Sequence, residues 1–148
     1  MDAVQQLGGR MTEILLAEDN PADVYLIREA LQEHGVDCTL QVAADGKEVL
    51  QIIAREDPQP PPGLIILDMN LPRHDGIEIL QRLRKIATFS HVPVVVLTSS
   101  DSPRDRQVAT QLGATRYLRK PSNLEEFLSL GAIFKELLGR PRTKSAGL

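Results

Sequence analysis

Residues 64–70 read LIILDMN: four apolar side chains in a row, then an acid, then a polar break. A strand with one wet face alternates apolar and polar positions, and this one does not. Consecutive apolar residues fit a strand covered on both faces, as helices cover a parallel sheet. Four further apolar runs lie along the chain, ILLA at 14–17, CTLQVA at 38–43, VPVVVL at 92–97 and the brief TRYL at 115–118, and the VVVL part of the third is likewise apolar at consecutive positions. Each is followed by a helical pattern. From Pro21 to His34, Val24, Ile27 and Leu31 recur at spacings of three and four, with Asn20 as cap and proline at the first helical position. The second pattern runs from Asp45 to Glu56 with Val49, Ile52 and Ile53 on one face, and the third from Asp75 to Ala87 with Ile77, Leu80, Leu83 and Ala87. The fourth spans Ser102 to Leu112 and stops at Gly113. The fifth begins near Ser122, read as a cap ahead of Glu125, and carries Leu124, Phe127, Leu128, Phe134 and Leu138.

Five alternations of strand and helix predict an α/β class domain: a doubly wound parallel sheet with helices on both faces and right-handed crossovers. The segment DPQPPPG, with four prolines in seven residues, predicts a stiff loop before the third strand. Residues 1–11 and 139–148 carry no periodic pattern and read as tails around one unit at 12–138.

The 148 residues suit a single core, and 42% hydrophobic with 25% charged residues is ordinary for a globular domain. A net charge of −3 supplies no basic field for a nucleic acid. No apolar run approaches the roughly 18 residues needed to span a bilayer, and MDAVQQLGGR lacks a signal-peptide core, so a cytoplasmic protein off the membrane is expected. The single cysteine, Cys38, sits in an apolar run and reads as a packed thiol. His34, His74 and His91 show no metal-ligand spacing and read as surface or capping residues, with His74 on the same rim as Asp68.

Ligands of open α/β sheets collect beyond the carboxyl ends of the strands. Those ends hold Glu18 and Asp19 after the first strand, Asp68 after the third, Thr98 at the fourth and Lys120 after the fifth. Any one of them could be polar simply because loop ends meet water. Together, three crowded carboxylates are costly unless a cation joins them or one keeps its proton. Magnesium fits, since it takes about six oxygen ligands and joins carboxylates to phosphate. An aspartate beside it can attack phosphorus, and Asp68 is the natural nucleophile. Lys120 would meet one phosphoryl oxygen and the Thr98 hydroxyl another, which makes catalysis positioning plus charge neutralisation.

The segments AEDNPADVYLIREAL, LIILDMNLPRHDGIEIL, VVVLTSS and RYLRKP together resemble the receiver domain of two-component response regulators, the CheY-like group, over residues 12–138. The resemblance implies a flavodoxin/CheY-like sheet with five helices and strand order 2-1-3-4-5. It further implies Glu18 and Asp19 as the acidic pair for Mg2+, with Asp19 the direct ligand, Asp68 as the phosphorylated aspartate, and the Asn70 carbonyl as another metal ligand. Thr98 then resembles the switch hydroxyl, Tyr117 the aromatic that turns with it, and Lys120 the family lysine, joined to Pro121 by an expected cis bond. Asn70 and Ser100 occupy the positions through which family members tune phosphoryl lifetime, and neither is acidic or strongly basic.

What the family implies for partners is a sensor histidine kinase or a histidine phosphotransfer protein in a phosphorelay, with output through a partner-binding surface. A narrower likeness, through NPADVYLIREAL, the proline-containing insert and KPSNLEEF, is to stand-alone regulators paired with phytochrome-type kinases, some of which dimerise through helix 4, strand 5 and helix 5. Two other readings remain at this point. A haloacid-dehalogenase-type phosphatase needs a second aspartate two residues after the nucleophile, where this chain has Asn70. A pseudo-receiver would keep the fold as a binding module without the chemistry. A P-loop protein is excluded because GxxxxGK[ST] is absent.

Overall fold

Alternation along the strands sorts the core into two layers. The chain is described here by a computed structural model covering residues 12–55, 60–99 and 102–139. Among these, strands β1 (Thr12–Ala17), β2 (Cys38–Ala43), β3 (Leu64–Leu67), β4 (Val94–Thr98) and β5 (Arg116–Arg119) form one sheet in the order β2-β1-β3-β4-β5. All four pairings are parallel, with Ile14 opposite Leu64, Ile65 opposite Val94 and Val96 opposite Tyr117. The helices are α1 (Pro21–Glu33), α2 (Gly46–Ile53), α3 (Gly76–Lys85), α4 (Pro103–Gln111) and α5 (Leu124–Leu138), with a 3-10 turn at Ala87–Phe89. The expected doubly wound sheet, its order and its five helices are therefore present.

Because side chains alternate across a strand, Ile14, Leu16, Leu64, Ile66, Val95 and Leu97 face one side, where Ile27 and Leu31 of α1 and Phe127, Phe134 and Leu137 of α5 cover them. Leu15, Ala17, Ile65, Leu67, Val94 and Val96 face the other, under Val49 and Ile53 of α2, Ile79 and Leu83 of α3 and Ala109 of α4. Helices α1 and α5 touch so closely that a Cβ on Gly131 would collide with the carbonyl oxygen of Ala30. On the opposite face Arg84 works as a staple. Its Nη1 lies 3.1, 3.2 and 2.9 Å from the carbonyls of Phe89, Ser90 and Val92, and its Nη2 donates to the Gly113 carbonyl at 2.7 Å.

Several local expectations shift. The cap of α5 is Asn123, whose side chain accepts from the Glu126 amide at 2.8 Å, and not Ser122. The same capping chemistry is satisfied one residue later, where the backbone is extended. Leu124 is consequently 60% exposed at the first turn and joins no core. Helix α3 stops at Lys85 because Ile86 takes an extended conformation, φ −96° and ψ 120°, so Ala87 belongs to the 3-10 turn. Cys38 is half-buried against the α1/α5 layer, and burial pushes its thiol pKa up. Of the tails expected at 1–11 and 139–148, only Gly139 is among the described residues, as the C-cap of α5, and the start of the proline-rich loop, residues 57–59, and Ser100 also lie outside them.

Candidate functional site

Each residue of the rim is held by backbone pairing that extends past the end of a strand. The Glu18 amide donates to the Ala43 carbonyl and the Asp68 amide to the Ala17 carbonyl, both at 3.0 Å, which continues the β1 ladders by one rung on either side. The Lys120 amide donates to the Thr98 carbonyl at 2.8 Å. Residues from four strands are thereby set on one edge of the sheet. Glu18, Asp68 and Thr98 are buried polar residues, while Asp19 is exposed.

The side chains then converge. Lys120 Nζ lies 2.9 Å from Glu18 Oε1, 2.7 Å from Asp23 Oδ2 and 3.1 Å from Asp68 Oδ2. An ammonium has three hydrogens, and three carboxylates meet them. The second oxygen of Glu18 accepts from the Asn20 amide at 3.1 Å, and Asp68 Oδ1 accepts from the Asn70 amide at 3.0 Å, which fixes the rotation of both carboxylates. The Asn70 side-chain amide donates to Thr98 Oγ1 at 3.2 Å. The loop after Asp68 is braced from α2: the Gly46 amide donates to the Pro72 carbonyl at 3.0 Å, and Arg73, held at φ +82°, pairs with Asp45 at 3.5 Å.

Burial, and then charge crowding, leave their mark on Glu18. Burial raises its pKa from 4.5 to about 7, the Asp68 charge adds to the rise, and Lys120 only partly opposes it. For Lys120, burial alone would favour the neutral form, but the bonds to Asp23 and Glu18 and the charge of Asp68 outweigh it, and its pKa is raised. A cationic lysine does not finish neutralising this cleft. Glu18, Asp19 and Asp68 offer carboxylate oxygens within 4.8 Å of one another, an all-oxygen donor set that fits a hard divalent cation such as Mg2+.

Residues 14–130 match the response regulator receiver domain family. The chain belongs to that family. This receiver is 34% identical over 120 residues to Response regulator Rcp1 of Synechocystis sp., covering 79% of this chain and 82% of Rcp1. Among solved structures, that of the phosphorylated cyanobacterial phytochrome response regulator RcpA superposes with a TM-score of 0.82 at 31% identity, covering 91% of this chain and all of that one. The Mn2+-bound form of Rcp1 gives 0.80 at 30% identity, covering 90% and 99%. The receiver spans about half the length of its mycobacterial relatives, 46% of TrcR and 54% of MprA.

Of the residues expected at the receiver's site, Glu18, Asp19, Asp68, Asn70 and Lys120 line one cleft, and Thr98 joins it through Asn70. Tyr117 lies apart from the carboxylates, buried in the layer that holds Ala109, with the Arg106 guanidinium 4.7 Å from its ring centre. Since Val96 pairs with Tyr117, Thr98 and Tyr117 project from the same sheet face. The ring is already turned inward. The cis Lys120–Pro121 bond is not found: the described residues contain no cis peptide. The trans form is intrinsically favoured by about 0.5–1 kcal/mol, and Lys120 reaches all three carboxylates without leaving it. Sequence reasoning overlooked Asp23. Its one signal was its place four residues after Asp19 in the first turn of α1, where an acid is equally explained by the helix dipole.

Proposed function

We propose that this receiver takes a phosphoryl group onto Asp68 from a phosphohistidine of a sensor kinase or phosphotransfer protein, and that its partner-binding surface changes as a result. Family membership implies such a histidine-phosphorylated partner. The observation that carries the reading is the convergence of Lys120 Nζ on Asp68 and Glu18, within 3.1 Å, beside a carboxylate set open to a divalent cation. Magnesium would be held by Glu18, Asp19, Asp68 and the Asn70 carbonyl. When bound, it neutralises charge on phosphoryl oxygens. The Asn70 amide and Lys120 orient the Asp68 carboxylate for attack; its oxygen forms the O–P bond as the N–P bond to imidazole breaks, and the released imidazole nitrogen takes up a proton. The phosphoryl group then adds oxygens toward which the Thr98 hydroxyl turns, and Tyr117, on the same face, reports the movement to α4.

The narrower proposal is a phytochrome-type kinase as donor, since RcpA is named as a phytochrome response regulator. We also propose residues 12–138 as the functional unit, in the cytoplasm, with a homodimer through α4, β5 and α5. In support of the last, β5 is an edge strand of the sheet, paired only with β4 among the described residues. No helix of the described residues is long and apolar enough to cross a membrane.

Intact-mass measurement after treatment with acetyl phosphate and Mg2+ tests the central claim. One hydroxylamine-labile phosphate adduct is expected on the parent and none on Asp68→Asn. Absence of an adduct on both would favour the pseudo-receiver, a binding module without phosphotransfer.

A further inference from the structure

Lys120 has no hydrogen to spare. Glu18, Asp23 and Asp68 engage its ammonium together, and the bond to Asp23, at 2.7 Å, is the shortest. A phosphoryl group on Asp68 can gain this lysine only if one carboxylate lets go. Glu18 is poorly suited to do so: its side chain is 2% exposed, and its other oxygen is committed to the Asn20 amide. The Asp68 side chain, 7% exposed, carries the phosphoryl group itself. Asp23 is 18% exposed and stands in the first turn of α1 at the mouth of the cleft, so it has water to turn toward.

We propose that Asp23 is a positioning residue that competes with the phosphoryl group for the Lys120 ammonium and so sets how tightly the phosphorylated state is held. The proposal rests on Asp68 being the phosphoacceptor. Charge supports it independently of the hydrogen-bond count. Four carboxylates, Glu18, Asp19, Asp23 and Asp68, line the cleft against two cations, Lys120 and Arg119. Replacing the single charge of Asp68 by a phosphoryl group makes the cleft more negative still. Asp23 therefore acts twice against that state, by repelling the incoming oxygens and by holding their cation. It also ties the start of α1 to the residue after β5, a link of 97 positions along the chain, so its release loosens the contact between those two elements.

The experiment is a titration of the full chain, saturated with Mg2+, with beryllofluoride as the phosphoryl mimic, on the parent, Asp23→Asn, Asp23→Ala and Asp23→Glu. Both neutral variants should bind about fivefold more tightly, the effect of one unit charge at about 4 Å in a solvent-like medium. Asp23→Glu, which restores the charge, should bind like the parent. In the two neutral variants the Lys120 ammonium nitrogen resonance should shift before any ligand is added, a signature that a purely structural role in α1 would leave unchanged. A parent that binds the mimic beside folded neutral variants that bind it no better overturns the proposal alone. A parent that binds none overturns the reading of Asp68 and the proposal with it.

Discussion

The Asn70 side-chain amide donates to the Thr98 hydroxyl across 3.2 Å, joining the loop after β3 to the last residue of β4. The two residues lie 28 positions apart along the chain. Asn70→Ala keeps the backbone amide that fixes Asp68 and removes only this bond. Urea unfolding should show a loss of about 0.5–1.5 kcal/mol. Adding Thr98→Val should then cost less than it does in the parent, since the partners are already separated. Strictly additive losses in that cycle would mean that the two groups do not act as a pair.

Glu18 makes the receiver's stability and metal binding depend on pH in a defined direction. Its pKa is raised by burial from 4.5 to about 7 in the folded chain. The folded state therefore binds this proton more tightly than the unfolded one. The stability it contributes is fully present below pH 4.5 and is lost as pH rises through about 7. A divalent cation needs the ionised carboxylate, so Mg2+ binding near pH 6 should release a proton and weaken as pH falls. Calorimetry in two buffers of different ionisation enthalpy reads that proton directly. Equal heats in both buffers would rule the linkage out, and Glu18→Gln should abolish it.

Arg84 satisfies four backbone carbonyls with one guanidinium, and burial lowers its pKa without a carboxylate partner being needed to hold it. Arg84→Ala strands those acceptors and should cost about 2–3 kcal/mol, in the range for hydrogen bonds to a charged group. Arg84→Lys should recover less than half of that, because an ammonium lacks the planar fork that reaches both loops. Chemical denaturation of the three proteins decides it; a lysine variant as stable as the parent would show that charge alone matters.

What was legible in the sequence is what local pattern controls. LIIL and VVVL announce strands covered on both faces, and strand ends announce the rim that holds Glu18, Asp19, Asp68, Thr98 and Lys120. The boundaries that moved depend on backbone choices between neighbours of equal propensity. Asn123 and Ser122 are both good caps, and only tertiary packing selects one; Ala87 fits the helical period, but Ile86 leaves it. Asp23 stayed hidden for a different reason. Its significance is the reach of a lysine 97 residues away, and no spacing within α1 encodes that distance.

The hydrogen bond from the Lys120 amide to the Thr98 carbonyl places the residue proposed to grip the phosphoryl group and the residue proposed to signal its arrival on adjoining strands of one sheet. Neither main chain can travel without hauling the other along. On the proposed function, the signal would leave the cleft by torsions of side chains, which are quick to reverse, while the two strands keep their pairing.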